Sequence, residues 1–421
     1  MSKSLRSRVS FNRKRFNIRR IVNLRNTIIL VAVVAIFVVS TSVIGAYMLK
    51  KKVAKSTIKF EDTSEEVLEA SSNVDIYDDD TNNIQIATNN EVNDNKYNAN
   101  TNNNSNNSNN ITINLLGEIM MGGDVTRNLD YIYSYAFKDI YNDAKSADFT
   151  YSNLSTNITN MDKLEDTKSK YIVTKDVISG LKTLGIDAVS IASDHMMDFS
   201  STMFRTTTGI LENSNIYVAG QKDNPVYFEK NNKKIAIVST NSVVIGTKSV
   251  YENNNISMYD SDNLKKNIEE AKKSAGFVIV DVHWGKDYEY GVTSQMTQMA
   301  HEAIDSGADM VIGSHALGVY PIITYKGKPI IYSLGYLISD TDYLVGKESF
   351  IFNVSLNNDL KLEKITMTPT YIKDKEQVVL YKNYDVVKMN EFLEQMNNWN
   401  LENSLKSSIN DGKIIIDFNN S

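Results

Sequence analysis

Three of the chain's four histidines directly follow short apolar runs. Ser193-Asp194-His195 follows AVSIA, His283-Trp284-Gly285 follows FVIVDV, and Ser314-His315 follows MVIG. A further run, ITINLL, leads into Gly117-Glu118. Such runs read as buried strands, and α/β folds gather ligands at the carboxyl ends of strands. A lone imidazole there is more often a structural hydrogen-bonder than a ligand. Three imidazoles with carboxylates at convergent strand ends have the composition of a hydrolytic metal site with nitrogen and oxygen ligands. His301 falls inside a helical stretch, off the strand ends, and reads as structural or surface. Trp284 fits either packing or stacking on a substrate. The glycine-rich GEIMMGGD does not match the dinucleotide fingerprint G-x-G-x-x-G, so no nucleotide is expected.

The elements that must position these residues alternate. The apolar runs predict strands over Ile111–Leu116, Ala188–Ala192, Lys234–Ser239, Phe277–Val282, Met310–Ile312 and Pro329–Ser333. Amphipathic stretches predict helices near 175–184, 201–214, 261–274 and 293–306, the last stopped by Gly307. Strand–helix alternation predicts an α/β fold with at least part of the sheet parallel. After Lys373 the sequence predicts a helix near 388–398 and an edge strand over Lys413–Phe418. The expected organisation is an α/β domain over 111–373 and a helix/strand extension over 374–421.

From about Ile111 to Ile338 the chain resembles bacterial capsule synthesis proteins of the CapA (poly-γ-glutamate synthesis) type, a family related to calcineurin-like metallophosphatases. The resemblance rests on His283-Trp284-Gly285, Asp287-Tyr288, Gln295, Gly307-Ala308-Asp309, His315, Pro321, Gly327-Lys328 and Tyr332-Ser333-Leu334-Gly335, in that order and spacing. It implies a metallophosphatase-like layered α/β sandwich. It also implies a divalent metal (Mn, Zn or Mg), a polyanionic envelope polymer as partner, and subunits of a capsule-synthesis complex.

Departures from the family pattern thin the site. Its Gly-Asp is Gly117-Glu118 here, its Asn-Leu-Glu is Asn153-Leu154-Ser155, and its Asn-Asn-His is Ser193-Asp194-His195, followed by the matching Asp198. The Gly-His-His-Pro-His turn is reduced to Gly313-Ser314-His315-Ala316-Leu317, and Leu-Gly-Asn-Phe has become Leu334-Gly335-Tyr336-Leu337. Glu118 and Asp194 keep oxygen donors, although Glu118 is one methylene longer. Leu317 cannot ligate. The resemblance leaves Glu118, Asn153, Asp194, His195, His283 and His315 as metal ligands, enough for one ion and marginal for two. His195 and His283 are also the candidates for proton transfer, but not through a nitrogen that holds metal.

Three readings follow: a metal-dependent hydrolase or transferase acting on a surface polymer, a site-degenerate binding or assembly component, and an α/β domain with structural histidines. An acidic domain would repel a polyanion unless a metal ion or a basic groove intervenes. Lys286, Lys326 and Lys328 lie beside the motifs and are candidates for such a groove; singly, each reads as a solvated surface lysine.

The rest of the chain concerns location. Thr27–Leu49 holds 23 residues without a charge. As a helix it spans about 34 Å, enough to cross a hydrocarbon core of about 30 Å. The heavier basic flank, residues 1–26, predicts a cytoplasmic tail, with the remainder outside the cell membrane. Residues 50–110 include the run NNNSNNSNN and predict a disordered tether. The net charge is −6, no acidic residue precedes Glu61, and the later part has no basic footprint, which argues against nucleic acid. With no cysteine, disulfides, thiolate catalysis and cysteine-based zinc sites are excluded.

Overall fold

The computed structural model describes residues 97–98 and 110–419, apart from 223–224 and 287–290. The basic tail, the apolar run at 27–49 and nearly all of the Asn-rich tether lie outside the described residues. Among the described residues, no helix is long and apolar enough to cross a membrane.

Two sheets form the body of a mixed α/β fold. In one, Lys233–Asn241, Phe277–Trp284, Met310–His315 and Lys328–Ile331 run parallel in that order. Val226–Lys230 and Ile322–Tyr325 flank them antiparallel, and Tyr97–Asn98 adds an outer parallel pairing. In the other, Ile111–Leu115, Phe149–Asn153, Ala188–Ser190 and Tyr217–Ala219 run parallel. This sheet continues antiparallel through Glu348–Leu356, Leu362–Lys373, Lys413–Asp417 and Lys406–Asn410.

Strand side chains alternate between faces, and both faces of each sheet are covered. Ile113, Tyr151, Ile279, Ile312 and Phe352 share one core between the two sheets. Val278, Val280 and Val311 face the other way, against Leu264, Ile268 and Met299 of helices Ser261–Ser274 and Ser294–Asp305. Val189 and Val218 pack against Leu181 and Leu211 of helices Val177–Leu184 and Ser201–Asn213. The result is helix, sheet, sheet, helix.

The structure lengthens several expected elements. Phe277–Trp284 and Met310–His315 run on through His283 and His315, so these histidines close their strands, His283 one residue before the end and His315 at it, rather than lying in loops. Phe149–Asn153, Glu348–Leu356 and Leu362–Lys373 were not legible as strands, because Thr, Ser, Asn and Lys break up their apolar patterns. The C-terminal helix is Val386–Glu402, and its Met389, Leu393 and Met396 enter the inter-sheet core. Lys413–Asp417 is an interior strand, since Lys406–Asn410 pairs outside it.

Candidate metal centre

Period-two alternation explains why His283 faces the site. Ile279, Asp281 and His283 occupy the same face of one strand, the face turned toward the second sheet. On the adjacent strand Ser314 pairs in register with His283, and the His283 Nδ1 lies 3.0 Å from the Ser314 Oγ. His315 comes next. Alternation alone would turn it toward the helices, but its φ of 74° breaks the pleat. A histidine held in the left-handed region is a strained residue, and such strain concentrates at functional sites. Its backbone N–H donates to the Glu118 Oε2 at 3.0 Å.

Asp194 and His195 reach the same place from the other sheet. The strand Ala188–Ser190 ends, and a single 3-10 turn, Asp194–Met197, begins at Ser193, whose Oγ accepts from the His195 N–H. Asn157 Nδ2 then holds the His195 carbonyl at 2.9 Å.

Asp194 is the hub. Its Oδ1 lies 3.0 Å from His283 Nε2; its Oδ2 lies 3.4 Å from His195 Nε2 and 3.7 Å from His315 Nδ1. Asp194, His283 and His315 are buried and present donor atoms all within 4.8 Å of one another. Two donors each about 2.1 Å from one ion stand about 3.0 Å apart at an octahedral edge and about 3.4 Å apart at a tetrahedral one. The His283–Asp194 spacing matches such an edge as well as a hydrogen bond, and the His315 contact is longer, so an ion would draw His315 inward. The donor types of Asp194, His283 and His315 fit a site that could hold one divalent metal.

The electrostatics agree with that use. Burial acts to raise the Asp194 pKa, but the His283 hydrogen bond and the charges of His283, His315 and His195 outweigh it and hold it far below the usual carboxylate range. Burial likewise acts to lower the His283 pKa, and the hydrogen bond and charge of Asp194 turn the net shift upward. For His195, burial lowers, while the Asp198 hydrogen bond and the charges of Asp194, Asp198 and Glu118 prevail and raise it.

The expected site residues take separate places. His283 is fully buried with both ring nitrogens engaged. His195 lines an open cleft of about 240 Å³ shared with Glu118, His315 and Leu317. Its Nδ1 is 2.8 Å from Asp198 Oδ2, and Tyr171 stacks on its ring at 3.4 Å between centroids and 12° between planes. Glu118 is placed by a backbone approach so close that a Cβ on Gly117 would lie 2.7 Å from the Gly335 oxygen. Asn153 is buried at the end of its strand; its Oδ1 accepts from Ser155 and its Nδ2 has no partner among the described residues. Rotating that amide by half a turn would exchange the atoms and present an oxygen, the donor a metal needs.

Other expected residues fall elsewhere. His301 stacks on Tyr325 at 3.7 Å, on helix Ser294–Asp305. Trp284 is buried and donates its indole N–H to the Tyr332 carbonyl at 2.7 Å, which gives it a packing role. Lys326 and Lys328 do not line the cleft; they pair with Asp305 and Asp309. Lys286 lines a different cavity, with Trp284 and Gln295. The lysine of the cleft is Lys170, which sits in a charged loop with no pattern to single it out. Asp281 was also missed, although its place two residues before His283 was a usable signal. It accepts from Tyr151 Oη at 2.7 Å and Ser239 Oγ at 3.1 Å, joining the two sheets directly under the centre.

Residues 112–341 match the family described as Bacterial capsule synthesis protein PGA_cap. Capsule biosynthesis protein CapA of Bacillus anthracis is 24% identical over 269 residues, covering 59% of this chain and 64% of that protein. PGA biosynthesis protein CapA of Bacillus subtilis is 24% identical over 329 residues, covering 74% and 83%. A probable polyglutamine synthesis accessory protein of Mycobacterium tuberculosis is 24% identical over 236 residues, covering 51% and 60%. The chain thus spans less than two thirds of the length of the first and third of these relatives.

Proposed function

The chain belongs to the bacterial capsule synthesis protein family, and from that premise we propose that it is a metallophosphatase-like component of capsule or poly-γ-glutamate synthesis or export. In this reading the apolar run at 27–49 anchors it in the cell membrane, and the folded domain works outside the cytoplasm at the end of its tether. It acts there as a single-metal hydrolase or transferase on the envelope polymer, alongside other subunits of the synthesis machinery. The observation that carries the reading is the buried triad Asp194, His283 and His315 beside the cleft-facing pair His195–Asp198.

The division of labour follows from the two histidines' surroundings. Asp194, His283 and His315 would hold a divalent ion, with Glu118 and Asn153 as further oxygen donors. Such an ion supplies Lewis-acid polarisation of the bond to be broken and makes water a better nucleophile. Asp198 keeps the Nδ1 of His195 occupied, which leaves Nε2 to exchange a proton. Burial acts to lower the His195 pKa, but the Asp198 hydrogen bond and the neighbouring carboxylates raise it, the direction that suits a general acid. Tyr171 fixes the plane of the ring. Glu118 accepts the His315 backbone N–H and so secures the turn that presents His315.

A second reading, a binding component without catalysis, is favoured by one observation. Leu317 lines the cleft, and the family's turn has a histidine there. Metal analysis of the full chain together with a His195→Gln variant separates the two. Bound metal with polymer turnover lost in the variant supports the enzyme. Bound metal, or none, with polymer synthesis in cells unaffected by the variant supports the binding component.

A further inference from the structure

The cleft holds a second charged pair that the metal centre does not use. Lys170 Nζ lies 2.6 Å from Asp340 Oδ1, with the Asp340 side chain 7% exposed and that of Lys170 46% exposed. A buried carboxylate needs a cation, whereas a half-exposed lysine gains little from holding one geometry. The carboxylate is thus fixed and its present cation is exchangeable.

The backbone is shaped around this pair. A Cβ on Gly122 would stand 2.4 Å from the Lys170 carbonyl oxygen, and one on Gly123 would stand 2.5 Å from Asp340 Oδ2. Gly123 also has a φ of 64°. The adjacent glycines Gly122 and Gly123 of GEIMMGGD, a stretch that fits no nucleotide motif, therefore form the floor on which Lys170 and Asp340 meet. Ser339 lines the same cleft, is buried, and its Oγ has no hydrogen-bond partner among the described residues. A fixed anion, a movable cation and an unused hydroxyl are gathered in one wall.

We propose that this wall is a subsite for the zwitterionic amino end of an amino-acid polymer. The terminal ammonium displaces the Lys170 Nζ from Asp340. The freed Lys170 takes the carboxylate on the same carbon, and Ser339 Oγ completes the hydrogen bonding. The proposal rests on the polymer reading above and adds that the chain end is what the cleft selects. In a γ-linked glutamate chain only the amino-terminal residue carries an ammonium and a carboxylate on one carbon. Interior residues carry carboxylates alone, and Glu118, Asp340 and Asp342 along the cleft repel them.

The test is calorimetric binding of two peptides to the full chain with Mn²⁺ present: γ-linked triglutamate with a free amino end, and the same peptide acetylated there. The expected result is a loss of about tenfold or more on acetylation, the size of a charge-assisted hydrogen bond to a buried carboxylate. Asp340→Asn should erase the preference. Lys170→Met, at a half-exposed position, should weaken the free-amino peptide and leave the acetylated one nearly unchanged, because only the ammonium frees Lys170 from Asp340. Equal affinity of the wild-type chain for the two peptides would overturn the subsite and leave the polymer reading standing. Failure of both peptides to bind would overturn the subsite and the polymer reading together.

Discussion

His283 Nε2 and Asp194 Oδ1 stand 3.0 Å apart, both buried, although 89 positions separate the residues. The contact joins the last rungs of one sheet to the turn that leaves the other. Without metal it is an ion pair inside the protein; with metal bound, the two side chains would serve as neighbouring ligands. The full chain is therefore expected to bind one divalent ion, and Asp194→Ala or His283→Ala to abolish binding. At a concentration about 100 times Kd the ion should add about 2.7 kcal/mol to stability. Elemental analysis and thermal melting check this; an unchanged melting temperature with Mn²⁺ and Zn²⁺ would remove the metal from the account.

The same cluster sets opposite pH trends with and without metal. His195 and His283 have folded pKa values raised above the unfolded value of about 6.5. Their stabilising effect is complete below about pH 6.5 and is lost as pH rises through the higher folded values. Asp194 is depressed, so its contribution is present above about pH 3.9 and is lost as pH falls through its folded value. The cluster thus favours the metal-free fold most between about pH 4 and 6.5. Metal requires the imidazoles deprotonated, so its stabilisation should grow as pH rises above that window. Melting curves with chelator and with Mn²⁺ between pH 5 and 8 should diverge with rising pH; parallel curves would contradict the shared site.

Asp198→Asn removes a negative charge beside His195 and weakens the hydrogen bond that raises it, which shifts the balance toward burial. The His195 titration, followed by NMR of its ring protons, should move to lower pH while metal content stays unchanged. The alkaline limit of any activity should move down with it, because a general acid works only while protonated. An unmoved titration would mean that Asp198 does not set the proton affinity of His195.

Much of this site was legible because its chemistry is written at strand ends. Asp194, His195, His283 and His315 each follow an apolar run that forms a strand, and the parallel topology brings those ends together. The separate tasks of His195 and His283 were not legible. They depend on Ser314 and Asp198 occupying particular nitrogens, which is tertiary geometry. Lys170 and Asp340 were hidden for a different reason. One lies in a charged loop and the other after a three-residue strand, and only the close approach at Gly122 and Gly123 brings them together. In the antiparallel half of the second sheet Lys413–Asp417 was legible as a strand, whereas Glu348–Leu356 and Leu362–Lys373 were not, because polar residues mask their period.

His315 offers a test of backbone strain. Both His315→Ala and His315→Gly remove the same imidazole, but only glycine accepts a φ of 74° without cost. In the absence of metal the glycine variant should be the more stable of the two by about 1 kcal/mol, read by denaturant unfolding. Equal stabilities would indicate that the backbone relaxes once the ring is gone, and that the Glu118 hydrogen bond does not hold the turn.

Tyr151→Phe probes the join beneath the centre. The phenol of Tyr151, on one sheet, donates to Asp281, on the other, and the Ser190 and Ser239 hydroxyls lie 2.6 Å apart beside it. Burial raises the Asp281 pKa, and its hydrogen bonds only partly offset this. Removing the phenol oxygen leaves a buried acceptor short of one donor, a loss of about 1–3 kcal/mol. Because Asp281 shares its strand face with His283, a shift of the two sheets at this point displaces His283 relative to Asp194. The variant should therefore lose metal affinity as well as stability, although Tyr151 touches no ligand. Titration of Mn²⁺ into the variant and the wild-type chain at one temperature below both melting points measures this. Lower stability with unaltered affinity would show that the sheets hold their spacing without the bond.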